Sequence, residues 1–239
     1  MLKMALFSDI HGNLRALEKI LKFLEENEIS KIYHLGDSIA IGPKNKEVLD
    51  LMRKKRVNMI RGNHEDYYIY NMNSDTDYIF KGEADHQRWV HEDLGEEYKS
   101  YLSKFKYEYE INYGKFKIKL LHYPFKNLES KNVFYPIDEC INSYSFDKIV
   151  DSNDYYYFFG HDHRYSVHTS KATNNTYVTL GSSGVSKNGK TSFFILNVDK
   201  ELSIDRIELD YDYEEHFLDM DRVKMVERDF IKENFFDRI

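Results

Sequence analysis

Five short polar segments hold the residue types that could do chemistry: Ser8-Asp9-Ile10-His11-Gly12-Asn13, Gly36-Asp37, Gly62-Asn63-His64-Glu65, Leu121-His122 and Gly160-His161-Asp162-His163. Setting His64 aside, they offer two carboxylates (Asp9, Asp37), one amide (Asn63) and four imidazoles (His11, His122, His161, His163). Carboxylate and imidazole donors together suit borderline metals such as Mn, Fe, Zn, Ni or Co. Such a set exceeds the needs of one tetrahedral ion, whereas two ions sharing a carboxylate, roughly 3.5–4 Å apart, use it naturally. In Asp9-Ile10-His11 and His161-Asp162-His163, an extended chain would turn both outer residues to one side and the middle one away. Taken singly, any of these histidines reads as a packed or surface side chain; the ordered set carries the signal. His34, His86, His91, His168 and His216 lie outside the segments and read as structural.

Each segment follows an apolar run that must position it. Leu2 to Phe7 reads as a buried strand. Leu14, Leu17, Ile20, Leu21 and Leu24 then recur at helical spacing behind Asn13, a suitable N-cap. Lys31 to Leu35 reads as a strand, Asn45 to Lys55 as a helix and Val57 to Ile60 as a third strand. Strands joined by such crossovers are normally parallel, and their carboxyl-end loops gather on one edge. From Asp66 to Lys104 the chain reads as polar and helical, a cap-like region containing the single tryptophan, Trp89. Tyr107–Asn112, Phe116–His122, Tyr155–Phe159, Tyr165–Thr169, Tyr177–Leu180, Ser192–Val198 and Leu202–Leu209 read as strands punctuated by glycines. From Tyr213 onward a surface helix is expected, with Phe217, Val223, Val226 and Phe230 inward. No repeat, low-complexity tract or linker interrupts the chain, so residues 1–239 are expected to form a single domain.

The composition bounds what this can be. The chain has 239 residues, 41 % hydrophobic and 31 % charged, and a chain of this length buries roughly 70–75 % of its extended surface on folding. A sizeable core needs no staples, and the lone Cys140 permits no intrachain disulfide and fits a reducing compartment. No apolar run approaches the ~18 residues of a membrane span, and Ser8-Asp9 interrupts the apolar opening too early for a signal peptide. A cytoplasmic protein is expected. The formal net charge of −7, with no long basic stripe, argues against a nucleic-acid partner gripped through its phosphates, although bound divalent cations would reverse the sign locally. Nothing in the sequence bears on oligomeric state.

The set Asp9-x-His11, Gly36-Asp37, Gly62-Asn63-His64-Glu65, isolated His122 and Gly160-His161-x-His163 resembles the motifs of calcineurin-like metallophosphoesterases, from about residue 3 to residue 185. Leu180-Gly181-Ser182-Ser183-Gly184 is similar to the turn that follows the last motif in the small bacterial and archaeal branch. The resemblance implies a four-layer αββα sandwich: two mixed β-sheets packed face to face, helices outside, and a dinuclear metal site at their rim. It implies that Asp9, His11 and His163 hold one ion, that Asn63, His122 and His161 hold the second, and that Asp37 bridges. A hydroxide between the two cations would attack phosphorus, while His64, standing off the metals, assists the departing oxygen.

Three positions depart from that pattern. Ala40 replaces the middle glycine of Gly-Asp-x-x-Gly-x-Gly-Pro, Tyr123 replaces the glycine after the isolated histidine, and Asp162 stands where threonine is common. Tyr123 reads chiefly as packing, with stacking on a nucleobase as the alternative, and Asp162 as a residue that orients a ligand histidine. Residues 36–42 lack the Gly-Asp-x-x-Asp-Arg-Gly of protein phosphatases. The expected substrate is a small phosphorylated molecule: a phosphodiester, a nucleotide or a dinucleoside polyphosphate. Asn13, Tyr123 and Arg164 are the candidate contacts, and the helical 66–104 region could set substrate size. The alternatives are a phosphomonoesterase or protein phosphatase, an exonuclease, or a non-catalytic scaffold on the same fold.

Overall fold

The computed structural model describes residues 1–74, 81–124, 146–148, 150 and 152–237; Cys140 and residues 75–80 of the cap-like region lie outside them. Two mixed five-stranded sheets form its centre. In the first, β1 (Leu2–Phe7), β2 (Ile32–His34) and β3 (Asn58–Met59) run parallel, and β9 (Lys190–Val198) and β10 (Leu202–Asp210) extend the sheet antiparallel. The second has the order β4 (Glu108–Tyr113), β5 (Phe116–Leu121), β6 (Tyr155–Phe159), β8 (Thr176–Leu180), β7 (Tyr165–Thr169). Its inner strands β5, β6 and β8 are parallel, with an antiparallel strand at each edge.

β1 is apolar throughout because it is covered on both faces. Ala5 and Phe7 pack under α1 (Leu14–Glu26) and α2 (Asn45–Lys54), beside Leu17, Ile20, Val48 and Met52. Met4 and Leu6 face the second sheet and meet Ile118, Leu120, Phe158 and Val178. The outer face of the second sheet carries a ring stack of Tyr157, Phe159 and Tyr177 covered by Phe146. Two mixed sheets flanked by helices are thus what the resemblance implied. Among the described residues no helix is long and apolar enough to cross a membrane.

Between the third strand and the second sheet lie α3 (Asn63–Ile69), α4 (Lys81–Leu94) and α5 (Lys99–Leu102). Tyr68, Val90, Leu94 and Leu102 pack them against Ile39, Ala40 and Leu49, so this region is continuous with the loop that carries Asp37. Arg61 is spent here: its guanidinium lies 3.4 Å from Asp66 and donates to the Ser103 carbonyl at 2.7 Å.

The C-terminal stretch departs from expectation. It forms two helices, α6 (Tyr213–Arg222) and α7 (Arg228–Phe236). Lys224 and Glu227 take left-handed backbone between them (φ 50° and 60°), which resets the helical phase. Phe217 is buried as expected, with Met220, Met225, Ile231 and Phe236, and Val223 packs against them. Phe230, expected inward, is 55 % exposed, because the register that begins at Phe217 does not run through the break.

Candidate metal centre

Five parallel strands deliver the polar segments to one edge. Asp9 and His11 follow β1, Asp37 follows β2, Asn63 follows β3, His122 follows β5, and His161 and His163 follow β6. All seven expected donors converge there, from both sheets. His11 Nε2 lies 3.1 Å from His163 Nε2 and 3.8 Å from an Asp9 oxygen, which is itself 3.6 Å from His163 Nε2. On the other side, Asn63 Oδ1 lies 3.1 Å from His122 Nε2 and 3.0 Å from His161 Nδ1. Asp37 Oδ2 stands between the groups, 3.2 Å from His122 Nε2 and 4.0 Å from His11 Nε2.

The route to this convergence is not strand alternation. Asp9, His11, Asp37 and His161 all have left-handed backbone, with φ between 46° and 67°, a region that non-glycine residues enter at a cost. The side chains meet because the chain kinks at each ligand. The middle residues do turn away, as expected. Ile10 is buried in the helix-side core, while Asp162 holds Arg164 at 2.8 Å rather than orienting a ligand histidine. Ala40 also has positive φ, 65°, so it occupies the backbone that a glycine there would adopt freely.

Backbone contacts hold these kinks. Ser183 and Gly184 donate to the carbonyls of Ser8 and Asp9 at 2.9 and 3.0 Å, and Ser182 Oγ donates to the Asp9 carbonyl at 2.7 Å. The Gly181–Gly184 turn therefore clasps the first ligand segment. A β-carbon on Gly160 would fall 2.1 Å from Ser8 Oγ and 2.9 Å from Asp9 Oδ2, so only glycine lets the two sheets close at this point.

Glu65 is the residue whose importance the motif hid. Fully buried, its carboxylate accepts from the amides of Asp37 (2.9 Å), Ser38 (2.7 Å) and Gly62 (2.7 Å) and from the Ser38 hydroxyl (2.6 Å). It ties the Asp37 loop to the start of α3, and so sets Asp37 against Asn63 and His64. Gln87, on α4, carried no sequence signal at all. Its amide donates to His64 Nδ1 at 3.1 Å, and it is buried by a helix that the chain reaches only after residues 66–80.

The electrostatics suit cation binding. His122 Nδ1–H donates to the Leu35 carbonyl at 2.7 Å and His11 Nδ1–H to the Ile39 carbonyl at 3.2 Å, which turns each Nε2 into the centre. Against burial, Asp37 raises His122 to about 9, so a cation there would displace its proton. Burial lowers His161 and His163 to about 4 and holds His11 well below its ordinary value, so these imidazoles are neutral ligands at neutral pH. Burial would raise Asp37, but the imidazoles of His122 and His64 outweigh it and hold the carboxyl well below the usual range. Burial, with Asp37 adding to it, pushes Asp9 up to about 7 against the pull of His122. Three groups among the described residues could each hold an ion: Asp9, His11 and His163; Asp37, His122 and His161; and His11, Asp37 and His64. In the last, His64 Nδ1 accepts from Gln87, which leaves the proton on Nε2; a protonated nitrogen donates and does not ligate.

The three candidate substrate contacts do not line the cleft above the centre. Asn13 is fully buried: its Oδ1 caps α1 through Ala16 N at 3.0 Å and its Nδ2 donates to the Gly184 carbonyl at 2.7 Å. Tyr123 is buried with its ring set edgewise against His122 and His161, at 5.0 and 5.1 Å. Arg164, paired with Asp162, lines a 520 Å³ cavity with Lys187 and Lys190 that adjoins the centre at His163. The cleft above the centre is a different one, of about 800 Å³, bounded by His11, Asp37, His64 and the ends of α4 and α7.

Two face-packed mixed sheets with clustered carboxylate, amide and imidazole donors at their shared rim define a metal-binding α/β sandwich. The chain belongs to the calcineurin-like phosphoesterase superfamily, whose domain matches residues 2–201. It is 26 % identical over 223 residues to the uncharacterized protein MJ0912 of Methanocaldococcus jannaschii, covering 87 % of each chain. Its fold is similar to that of the hypothetical protein PH1004 from Pyrococcus horikoshii (TM-score 0.74, 20 % identity, 99 % of this chain and 98 % of that one). It is similar also to a metallophosphoesterase from Sphaerobacter thermophilus (TM-score 0.66, 18 % identity, 95 % and 98 %).

Proposed function

We propose that this chain, as one domain over residues 1–239, is a two-metal phosphoesterase that hydrolyses P–O bonds in a phosphodiester or in a nucleotide or dinucleoside polyphosphate. The observation that carries this reading is the position of Asp37, whose carboxylate lies between His11 on one side and His122 with His161 on the other. Asp9, His11 and His163 would hold one cation and Asn63, His122 and His161 the second, with Asp37 shared. Cations there would neutralise phosphoryl oxygens and acidify a water molecule.

The rest falls to the chain's own side chains. His64 presents Nε2–H toward the cleft, since Nδ1 is occupied by Gln87, and can hydrogen-bond to or protonate a departing oxygen. Its backbone amide donates to Asp37 Oδ1 at 3.0 Å, so the same turn positions the shared carboxylate and the proton donor. Glu65 fixes both without facing the substrate.

The test is hydrolysis of bis-p-nitrophenyl phosphate by purified protein supplied with Mn²⁺, Fe, Zn²⁺, Ni²⁺ or Co²⁺ in turn. Turnover that a chelator abolishes and added metal restores supports the reading. No turnover with any of these ions favours a non-catalytic scaffold.

A further inference from the structure

The helix that closes the cleft lies outside the matched family domain, which ends at residue 201. Helix α7 lines the cleft with Phe230, Ile231 and Phe235, packed beside Ile41 and near His163. Phe230 is 55 % exposed, and the Phe235 ring lies 6.3 Å from that of His163. An exposed ring alone is ordinary; here it continues an apolar wall that runs down to a candidate ligand.

That wall is held in register with the centre. The Ile41 amide donates to His86 Nε2 at 2.9 Å, and His86 Nδ1–H donates to the Val226 carbonyl at 3.0 Å, just before α7. One buried imidazole thus links the loop bearing Asp37 to the start of α7. Behind the wall, Phe236 is buried with Met220 and Met225, and Tyr213 Oη donates to the Phe236 carbonyl at 3.2 Å. The surface is anchored before any substrate arrives, which reduces the cost of binding.

The charges along the cleft point the same way. Away from the donor cluster, among the described residues, it is lined by the carboxylates of Glu83 and Glu227 and by one ammonium, Lys81, which Asp85 holds at 2.9 Å. The basic Arg164, Lys187 and Lys190 line the cavity that adjoins it at His163 and Phe235. The α7 side of the cleft thus accepts an uncharged group. At about 800 Å³ the cleft is also large enough for an organic group beside the phosphate.

We infer that the α7 wall is a subsite for an uncharged aromatic or apolar arm of a phosphodiester, with Phe230 and Phe235 as its contact surface. This rests on the phosphoesterase reading for where the phosphate sits and narrows its substrate class to diesters that carry such an arm.

Diphenyl phosphate and dimethyl phosphate, which carry one negative charge each and differ only in their arms, separate the two ideas. Calorimetry on the Mn²⁺-loaded protein should show diphenyl phosphate binding at least about tenfold more tightly, as burial of an aromatic face implies. Phe230→Ala should remove about tenfold of that affinity while dimethyl phosphate changes less than about twofold, with the melting temperature unmoved because the ring is exposed. In turnover, Phe230→Ala should raise KM for bis-p-nitrophenyl phosphate at constant kcat. Equal affinity for the two diesters, or an equal loss on both, overturns the subsite. Arm-selective binding without turnover of any ester would leave the subsite standing and defeat the phosphoesterase reading instead.

Discussion

The side-chain amide of Gln87 donates to Nδ1 of His64 at 3.1 Å. Gln87 is buried on α4, and its Oε1 has no hydrogen-bond partner among the described residues. A buried carbonyl left unpaired costs stability, so the amide is placed for its N–H and for the tautomer it imposes on the imidazole.

Gln87→Leu should therefore lower kcat by about tenfold, a fraction of what a positioned acid contributes, with metal content and KM unchanged.

Asp37 should couple the two ions. Asp37→Asn is expected to reduce both metals together on elemental analysis, because the shared carboxylate loses its charge. One ion fully retained contradicts the bridging assignment. Added metal should also raise the melting temperature of the native chain; an unchanged value after exhaustive chelation counts against the centre.

Glu65 is expected to matter for stability as well as for activity. Glu65→Gln keeps the shape but turns two acceptors into one acceptor and one donor facing amide N–H groups. That should cost about 1–3 kcal/mol, or a fall of roughly 2–10 °C in melting temperature for a chain of this size. Thermal unfolding measured in chelator separates this from any loss of metal.

His216 should contribute to acid sensitivity far from the centre. Burial, reinforced by Arg15 and Lys232, lowers it to about 3, whereas in the unfolded chain it titrates near ~6.5. Because the folded state resists the proton, its contribution to stability is complete above about pH 6.5 and is lost as pH falls toward 3. Denaturant titrations at about pH 7.5 and about pH 5 should show His216→Met losing roughly 1–2 kcal/mol less than wild type between the two. Equal losses would mean the imidazole is protonated in the native state.

Much of the fold was legible along the chain. The twofold burial of β1 is written in Leu2–Phe7, and the amphipathic face of α1 in Leu14 to Leu24, because covalent neighbours alone decide those periodicities. The C-terminal helices were not legible, since the break at Lys224–Glu227 shifts the phase of every later residue and turns Phe230 outward. Asn13 shows both sides within the site: its capping of α1 was legible and is found, whereas the bond from its Nδ2 to the distant Gly184 carbonyl was not.

What the sequence determined by itself was the chemistry: which donor types exist, in what order, and that each follows a strand. Those are properties of composition and local spacing. Only the tertiary structure decided how the donors meet, because left-handed kinks at Asp9, His11, Asp37 and His161 are held by contacts with segments distant along the chain. It alone brought Gln87 to His64 and α7 over the cleft, since neither partner leaves a periodic trace for the other; three-dimensional packing is the only thing that relates them.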